Sequence, residues 1–363
     1  MGDSLFFGSL ARLLDHFAFQ NVNSHDFFAY LSQVSGMNLM DFYEDWVHQP
    51  GFLDFDVERI QGHGCGIYSV KVRQKGYGTN HSGTNVPLDI TLVSQDMDTY
   101  TFEGQTVSGD TSELMVLSPF EPAFAIPDYH GKLNKATIDA TRQVAAVGDV
   151  TFTNTGCGAH LGDVADTAMM YVAHHYVAPT APDPLPDGYY RFSTTHYWTV
   201  NYVGGGLDGA WKFQMRRGAN QLDADLFDGG FDLDDLKLMY RPDGQSAWVS
   251  VPFTRTGSPY NAVLTTNELQ TGQYCFAVAD GPVSVGDFSP VRLHVYPVPA
   301  TGTLTLRTDA ARADKAVILD SVGRKVRSVR ISGDVQEISV KNIPSGNYVL
   351  VLYQNGTPVA RTV

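Results

Sequence analysis

Cysteine is scarce in this sequence, and its scarcity excludes two kinds of protein at once. Cys65, Cys157 and Cys275 are the three present; being odd in number and far apart, they allow at most one disulfide and no CxxC metal pair. Long apolar runs are missing too: no stretch approaches the ~18 apolar residues of a membrane-spanning helix. Basic residues are few, with 25 Lys and Arg against 39 Asp and Glu and a formal charge of -14. That balance argues against a nucleic-acid partner, because phosphate binding rests on clustered Lys and Arg. Gly2 and Asp3 follow Met1, where a signal peptide would carry a basic segment, so none is expected at this N-terminus.

What the chain does have is 18 Tyr, 20 Phe, 4 Trp, 35 Gly and 18 Pro among 363 residues. That mixture suggests strands joined by tight turns, and the length suggests two to four domains. The fold class expected is mainly β: a short α-helical N-terminal segment, two or more β-sandwich units, and a C-terminal immunoglobulin-like β-sandwich. Charge divides the chain near residue 282. Residues 283–363 hold ten Lys or Arg against six Asp or Glu, whereas residues 1–282 hold fifteen against thirty-three, so a domain boundary is expected there.

Residues 1–51 read as three short amphipathic helices. Leu5, Phe6, Leu10, Leu13, Leu14 and Phe17 share one face over about 4–19. A second helix, with Ser24 as N-cap, carries Phe27, Phe28, Leu31 and Val34 to Gly36. A third follows Asn38 with Leu39, Phe42, Tyr43 and Trp46 facing inward, and stops at Gln49-Pro50-Gly51. Fifty residues bury too little surface to fold alone, so these helices are expected to complete a core begun elsewhere.

The run Gly2-Asp3-Ser4-Leu5-Phe6-Phe7, then Asp26-Phe27-Phe28, Val34-Ser35-Gly36, Leu39, Phe42-Tyr43 and Trp46-Val47-His48-Gln49-Pro50-Gly51, resembles the end of the catalytic domain of gluzincin zinc aminopeptidases of the alanyl-aminopeptidase type. The resemblance implies that zinc, the H-E-x-x-H helix, the G-x-M-E-N strand and the oxyanion Tyr belong to an upstream peptidase domain. None of those motifs occurs here, so no catalytic residue and no zinc ligand is assigned to this chain, which is expected not to be an enzyme by itself. The resemblance also implies that residues 52–128 are the small supporting sandwich of that family, with Val70-Lys71-Val72-Arg73-Gln74 as its Gln-ended strand.

Alternation marks strands through 52–128, at Phe55, Val57 and Ile60, at Tyr68, Val70 and Val72, at Leu88, Ile90 and Leu92, at Tyr100 and Phe102, and at Leu114, Val116 and Leu117. Residues 129–186 read as an irregular β segment and a Pro-rich linker, since Pro179, Pro182, Pro184 and Pro186 cannot sit inside a sheet. Residues 187–282 read as an accessory β-domain.

Candidate sites are weighed against ordinary packing. His174 and His175 are adjacent in an extended run, so their side chains point to opposite faces and do not share a metal. Asp223, Asp225 and Asp228, with Asp232, Asp234 and Asp235 beyond them, form an acidic loop able to offer oxygen ligands to calcium, although Phe227 occupies the third EF-hand ligand position. Calcium at Asp223, Asp225 and Asp228 is weighed against a solvated loop. Tyr197, Trp198, Trp211 and Trp248 suit a sugar-stacking platform, against the commoner use of such residues in a core.

Residues 283–363 carry Tyr296-Pro297-Val298-Pro299-Ala300, Asp320 followed by Gly323-Arg324-Lys325-Val326, and Pro344-Ser345-Gly346-Asn347-Tyr348. About seven short strands are expected. The segment resembles the type A C-terminal sorting domain of the type IX secretion system of Bacteroidetes, with Pro297, Pro299, Gly323, Arg324, Gly346 and Tyr348 on its motif and Val298 in place of the usual Asn. The resemblance implies that the type IX machinery is a partner and that the protein is secreted or held at the outer-membrane surface. The leading reading is therefore a non-catalytic C-terminal part of a secreted zinc aminopeptidase-like protein. The alternative is a secreted or surface binding module for glycan or peptide.

Overall fold

The structure, a computed structural model, describes residues 1–180, 190–228, 231, 233–279, 293–308, 313–320, 323–331, 333, 335–354 and 357–362. Two compact units result, the first from residues 1–180, 194–215 and 238–275, the second from 181–193, 216–237 and 276–363. Helices α1 (Asp3–His16), α2 (Ser24–Ser35) and α3 (Met40–Tyr43) lead into a π-helical turn, Glu44–His48. The strands that follow are β1 (Phe52–Gly64), β2 (Ile67–Tyr77), β3 (Val86–Ser94), β4 (Thr99–Val107), β5 (Thr111–Leu117) and β6 (Pro122–Pro127). Next come β7 (Thr137–Val144), β8 (Gly148–Phe152), β9 (Cys157–Val164), β10 (Ala168–His175), β11 (Tyr190–Phe192), β12 (Tyr197–Gly204) and β13 (Leu207–Arg216). These are followed by β14 (Leu236–Arg241), β15 (Val249–Val251), β16 (Phe253–Gly257), β17 (Asn261–Thr266) and β18 (Gly272–Ala279). The C-terminal set is β19 (Leu293–Tyr296), β20 (Thr303–Thr308), β21 (Lys315–Leu319), β22 (Lys325–Arg330), β23 (Val335–Ser339), β24 (Val349–Gln354) and β25 (Thr357–Thr362). The chain is mainly β with a short helical start, as its composition predicts.

The helices end where their capping residues dictate. Asn23, in extended conformation, caps α2 by accepting the Asp26 N–H at 2.8 Å, so the cap lies one residue before the Ser24 expected. Gly36 closes α2 in the left-handed region at φ 71°, which glycine enters without a Cβ clash. Leu13, Leu31 and Tyr43 are buried, but Leu5, Phe6, Leu14 and Phe42 of the expected inward stripe are exposed.

Sheets β1-β2-β5 and β4-β3-β6 form a sandwich. Leu53, Phe55, Val70, Val72, Leu114 and Val116 of one sheet meet Val86, Leu88, Ile90, Leu92, Val107 and Ala125 of the other in a common core. Tyr100 and Leu117, also read from the alternation, instead face outward. The buried Gln74 amide ties the loops of this sandwich together by donating to the carbonyls of Gly83 (3.2 Å) and Gly109 (2.8 Å).

Residues 129–180 are more regular than their pattern suggests. They supply β7 to β10, and β10 lies inside a seven-stranded sheet of order β15-β14-β18-β12-β10-β7, with β11 on β18. Every residue of β10 is buried, so the alternation that marks a half-exposed strand is lost. Residues 129–186 and 187–282, read separately from the sequence, thus contribute to one sheet, with His175 opposite Tyr197 and His174 opposite Trp198. One face of this sheet packs on the five-stranded sheet β16-β17-β13-β9-β8 through Trp198, Tyr274 and Phe213, whose rings lie 4.8–5.1 Å apart.

The C-terminal seven strands form sheets β19-β20-β23 and β22-β21-β24-β25. Their shared core is Leu304, Leu306 and Ile338 against Ala316, Ile318, Leu350 and Leu352. The Pro-rich segment 182–186 and the boundary at 282 lie outside the described residues.

Candidate functional site

Strand β1 reads Asp54-Phe55-Asp56-Val57-Glu58, and period-two geometry sends its two residue types to opposite sides. Phe55 and Val57 join the sandwich core. Asp54, Asp56 and Glu58 are at most 2% exposed, so each carboxylate needs a partner to offset its lost hydration. Asp54 accepts from the Thr137 hydroxyl and faces His175 Nδ1 at 2.8 Å, and His175 Nε2 lies 3.0 Å from the Thr199 hydroxyl. Asp56 accepts from Gln273 Nε2 at 2.8 Å, and Gln273 Oε1 in turn accepts from Arg241 Nε at 2.8 Å. Glu58 pairs with Arg73 and, at 3.3 Å, with Lys71. Lys75 lies over the Tyr197 ring at 4.4 Å, a cation-π contact.

The electrostatics follow from this crowding. Burial by itself would raise the Asp56 carboxyl, but the nearby charges of His175, Lys75 and Arg241 and the Gln273 hydrogen bond outweigh it and hold it below the usual carboxylate range. Burial pulls Lys75 down from the ordinary lysine value, against the opposing pull of Asp56 and Asp54. Tyr197 is pushed well up, first by burial and then by the two aspartates. Beside this seam opens a cleft of about 600 Å3, with Asp56, His175, Thr199, Asn201 and Gln273 among its lining residues.

His174 points to the opposite side of β10, as adjacent strand residues must, with its Nε2 2.9 Å from His196 Nδ1 and its ring stacked on Trp198. Among the described residues no group of three or more His, Cys, Asp and Glu side chains is placed to hold a metal ion. Tyr197, Trp198, Trp211 and Trp248 are 0–1% exposed, so these rings are core and form no outward platform.

The three aspartates considered for calcium are separated in role. Asp223 is fully buried and accepts from the Arg216 N–H at 2.6 Å. Asp225 opens a single 3-10 turn, Asp225–Phe227. The carbonyls of Asp225, Leu226 and Asp228 all converge on the Arg191 guanidinium, so the cation these oxygens bind in the structure is an arginine. Asp235 bridges Lys315 at 3.2 Å and Lys325 at 3.1 Å. Asp232 lies outside the described residues.

The C-terminal motif residues sit in turns. Gly323 adopts φ 83°, a conformation that favours glycine, between β21 and β22. Asp320 Oδ1 accepts the Arg324 N–H at 2.9 Å and Oδ2 accepts Arg324 Nε at 2.8 Å. Tyr348 donates its hydroxyl to the Pro344 carbonyl at 2.7 Å, and its ring lies 3.4 Å from where a Cβ on Gly346 would stand. Both Tyr296-Pro297 and Val298-Pro299 are cis. Asp320, Arg324, Pro344 and Tyr348 border one cavity of about 610 Å3 with Arg191, Asp228, Phe231 and Lys325, so two motif turns distant in sequence meet in space.

Sequence reading missed the row Asp54, Asp56 and Glu58 and its partners Lys75, Arg241 and Gln273. Its signal was present: alternating acids and apolar residues ahead of a strand rich in Lys and Arg. What could not be read was that the acidic face meets another sheet rather than water.

The C-terminal strands thus close on a core of their own, with these turns bordering one cavity. Residues 294–363 match the family model described as secretion system C-terminal sorting domain. The search of curated proteins found no match. The chain thus carries a type IX sorting domain and is a secreted or cell-surface protein, with the type IX machinery as its partner.

Proposed function

We propose that this chain is the non-catalytic C-terminal part of a secreted zinc aminopeptidase-like protein, in which residues 1–51 finish the catalytic domain and the β-units that follow support it. The observation that carries this reading is the helical face left unpartnered among the described residues. Leu5, Phe6, Phe7 and Leu14 are 42–70% exposed, an apolar cluster of the kind that marks a contact surface. The helices are nonetheless fixed to the sandwich. Asp45 accepts the Thr84 N–H at 2.7 Å and meets His81 Nε2 at 2.5 Å, while Asp41 accepts from Asn85 at 2.8 Å. An apolar face on α1, carried by helices whose last turn is tied to the sandwich, suits docking of an upstream domain, and zinc and its ligands belong to that domain in this reading. Sequencing the DNA upstream of Met1 tests it. An in-frame H-E-x-x-H is the expected result, and an unrelated domain in its place sinks the proposal.

The cleft beside Asp56 favours a second reading, a binding module for a small glycan or peptide, because convergent polar groups in a concavity are the usual form of a ligand site. A glycan and peptide array probed with the whole chain separates the two. Specific binding that Asn201→Ala abolishes supports the module, and a blank array removes it.

A further inference from the structure

The acidic residues weighed above for calcium make a set of contacts within the second unit. Asp235 Oδ1 and Oδ2 each hold one lysine, Lys315 on β21 and Lys325 on β22. All three side chains are largely buried, at 18, 23 and 11% exposure. Phe231, 8% exposed, is flanked by two cations, the Arg191 guanidinium at 4.7 Å and the Lys325 ammonium at 4.4 Å from its ring centre. Arg191 is itself fixed by the carbonyls of Asp225, Leu226 and Asp228. The loop therefore presents a carboxylate and an aromatic ring on a braced frame, and Lys325 is the side chain that meets both. Across the adjoining cavity lie Asp320, Arg324, Pro344 and Tyr348, the turn residues that carry the sorting-domain motif.

We propose that Asp225–Asp228, Phe231 and Asp235 together are a seat in cis for the sorting domain, so that the export machinery must displace them to read the turns bordering the cavity. Desolvated ion pairs and a ring between two cations give such a seat specificity for the lysines of β21 and β22. Its partner is the sorting domain of the same chain, recognised through Lys315 and Lys325. The seat rests on the sorting-domain match and is independent of any peptidase parentage.

The test uses the full chain, with Asp235→Lys as the disrupting variant. A second variant adds Lys315→Asp and Lys325→Asp to restore opposite charges. Hydrogen exchange of Asp225–Asp228 and Lys325–Arg330 is read with Ala168–His175 as an internal reference. The expected result is exchange accelerated on the order of tenfold in both segments of Asp235→Lys, with the reference unchanged and protection recovered in the charge-swapped chain. In cells with a type IX system, Asp235→Lys is expected to lose its sorting domain by maturation sooner than the parent chain. Unchanged exchange in Asp235→Lys, failure of the swap to recover protection, or maturation that is unchanged or slower would each overturn the proposal.

Discussion

At the residue scale, the buried charges of β1 make the strongest claims. Removing Asp56 as Asp56→Ala leaves Lys75, Arg241 and Gln273 facing an apolar methyl group, and breaking such a buried set costs about 3 kcal/mol. Urea unfolding of the full chain reads this as a lower midpoint, and a change within error contradicts it. The same residue fixes a pH dependence. Its folded-state carboxyl lies below the ordinary value of 3.8, so its stabilisation is fully present above that value and is lost as pH falls through the depressed one. Asp56→Asn should therefore flatten the fall in stability below about pH 4 while leaving the curve above it parallel to the parent. Thiol chemistry gives a further test. All three cysteines are free, Cys65 exposed and Cys157 and Cys275 buried, and burial pushes the two inner thiols well up. One thiol should react with an aromatic disulfide reagent in the native chain and three in denaturant, because the thiolate is the reactive form. Rapid reaction of a second native thiol refutes this.

At the element scale, much of the fold was legible because half-buried strands and capped helices announce themselves. The alternation at Val70 and Val72, and at Leu88, Ile90 and Leu92, marks residues that are 0% exposed, and Gly36 ends α2 as a left-handed cap should. Strand β10 was legible only as an extended run at His174 and His175, for the opposite reason: with both faces covered, Met169-Met170-Tyr171-Val172 has no polar side to alternate with. The candidate site was harder still, since Asp54 and Asp56 find His175 and Gln273 across 121 and 217 residues of sequence, and no local pattern encodes such a pairing. Mounting of the helices is testable at this scale. Asp45→Ala strips the acceptor from the Thr84 N–H and His81, and the loss of a charged acceptor costs about 1–3 kcal/mol. The effect should be local: faster hydrogen exchange over Glu44–His48 and the 81–84 loop, with Val86–Ser94 unchanged. A uniform change across the sandwich would show instead that the helices are part of its core.

At the scale of the whole molecule, the sorting domain is separable in chemistry from the rest. Its core residues, Leu304, Leu306, Ala316, Ile318, Ile338, Leu350 and Leu352, all come from strands between residues 303 and 354. Its segment carries the basic excess of an otherwise acidic chain, a contrast suited to recognition by a separate receptor. Among the described residues that core is drawn from this segment, so deleting residues 294–363 should spare the β1-β2-β5 and β4-β3-β6 sandwich while removing the export signal. Expressed at its full natural length in cells with a type IX system, the deleted protein is expected to accumulate inside the cell envelope, with the extracellular or surface-bound fraction lost. Near-ultraviolet circular dichroism serves as the control, because Trp198, Trp211 and Trp248 all lie in the first unit and should keep their fixed environment. A deleted protein that keeps this signature and still reaches the outside as well as the parent would mean that the export information lies elsewhere in the chain.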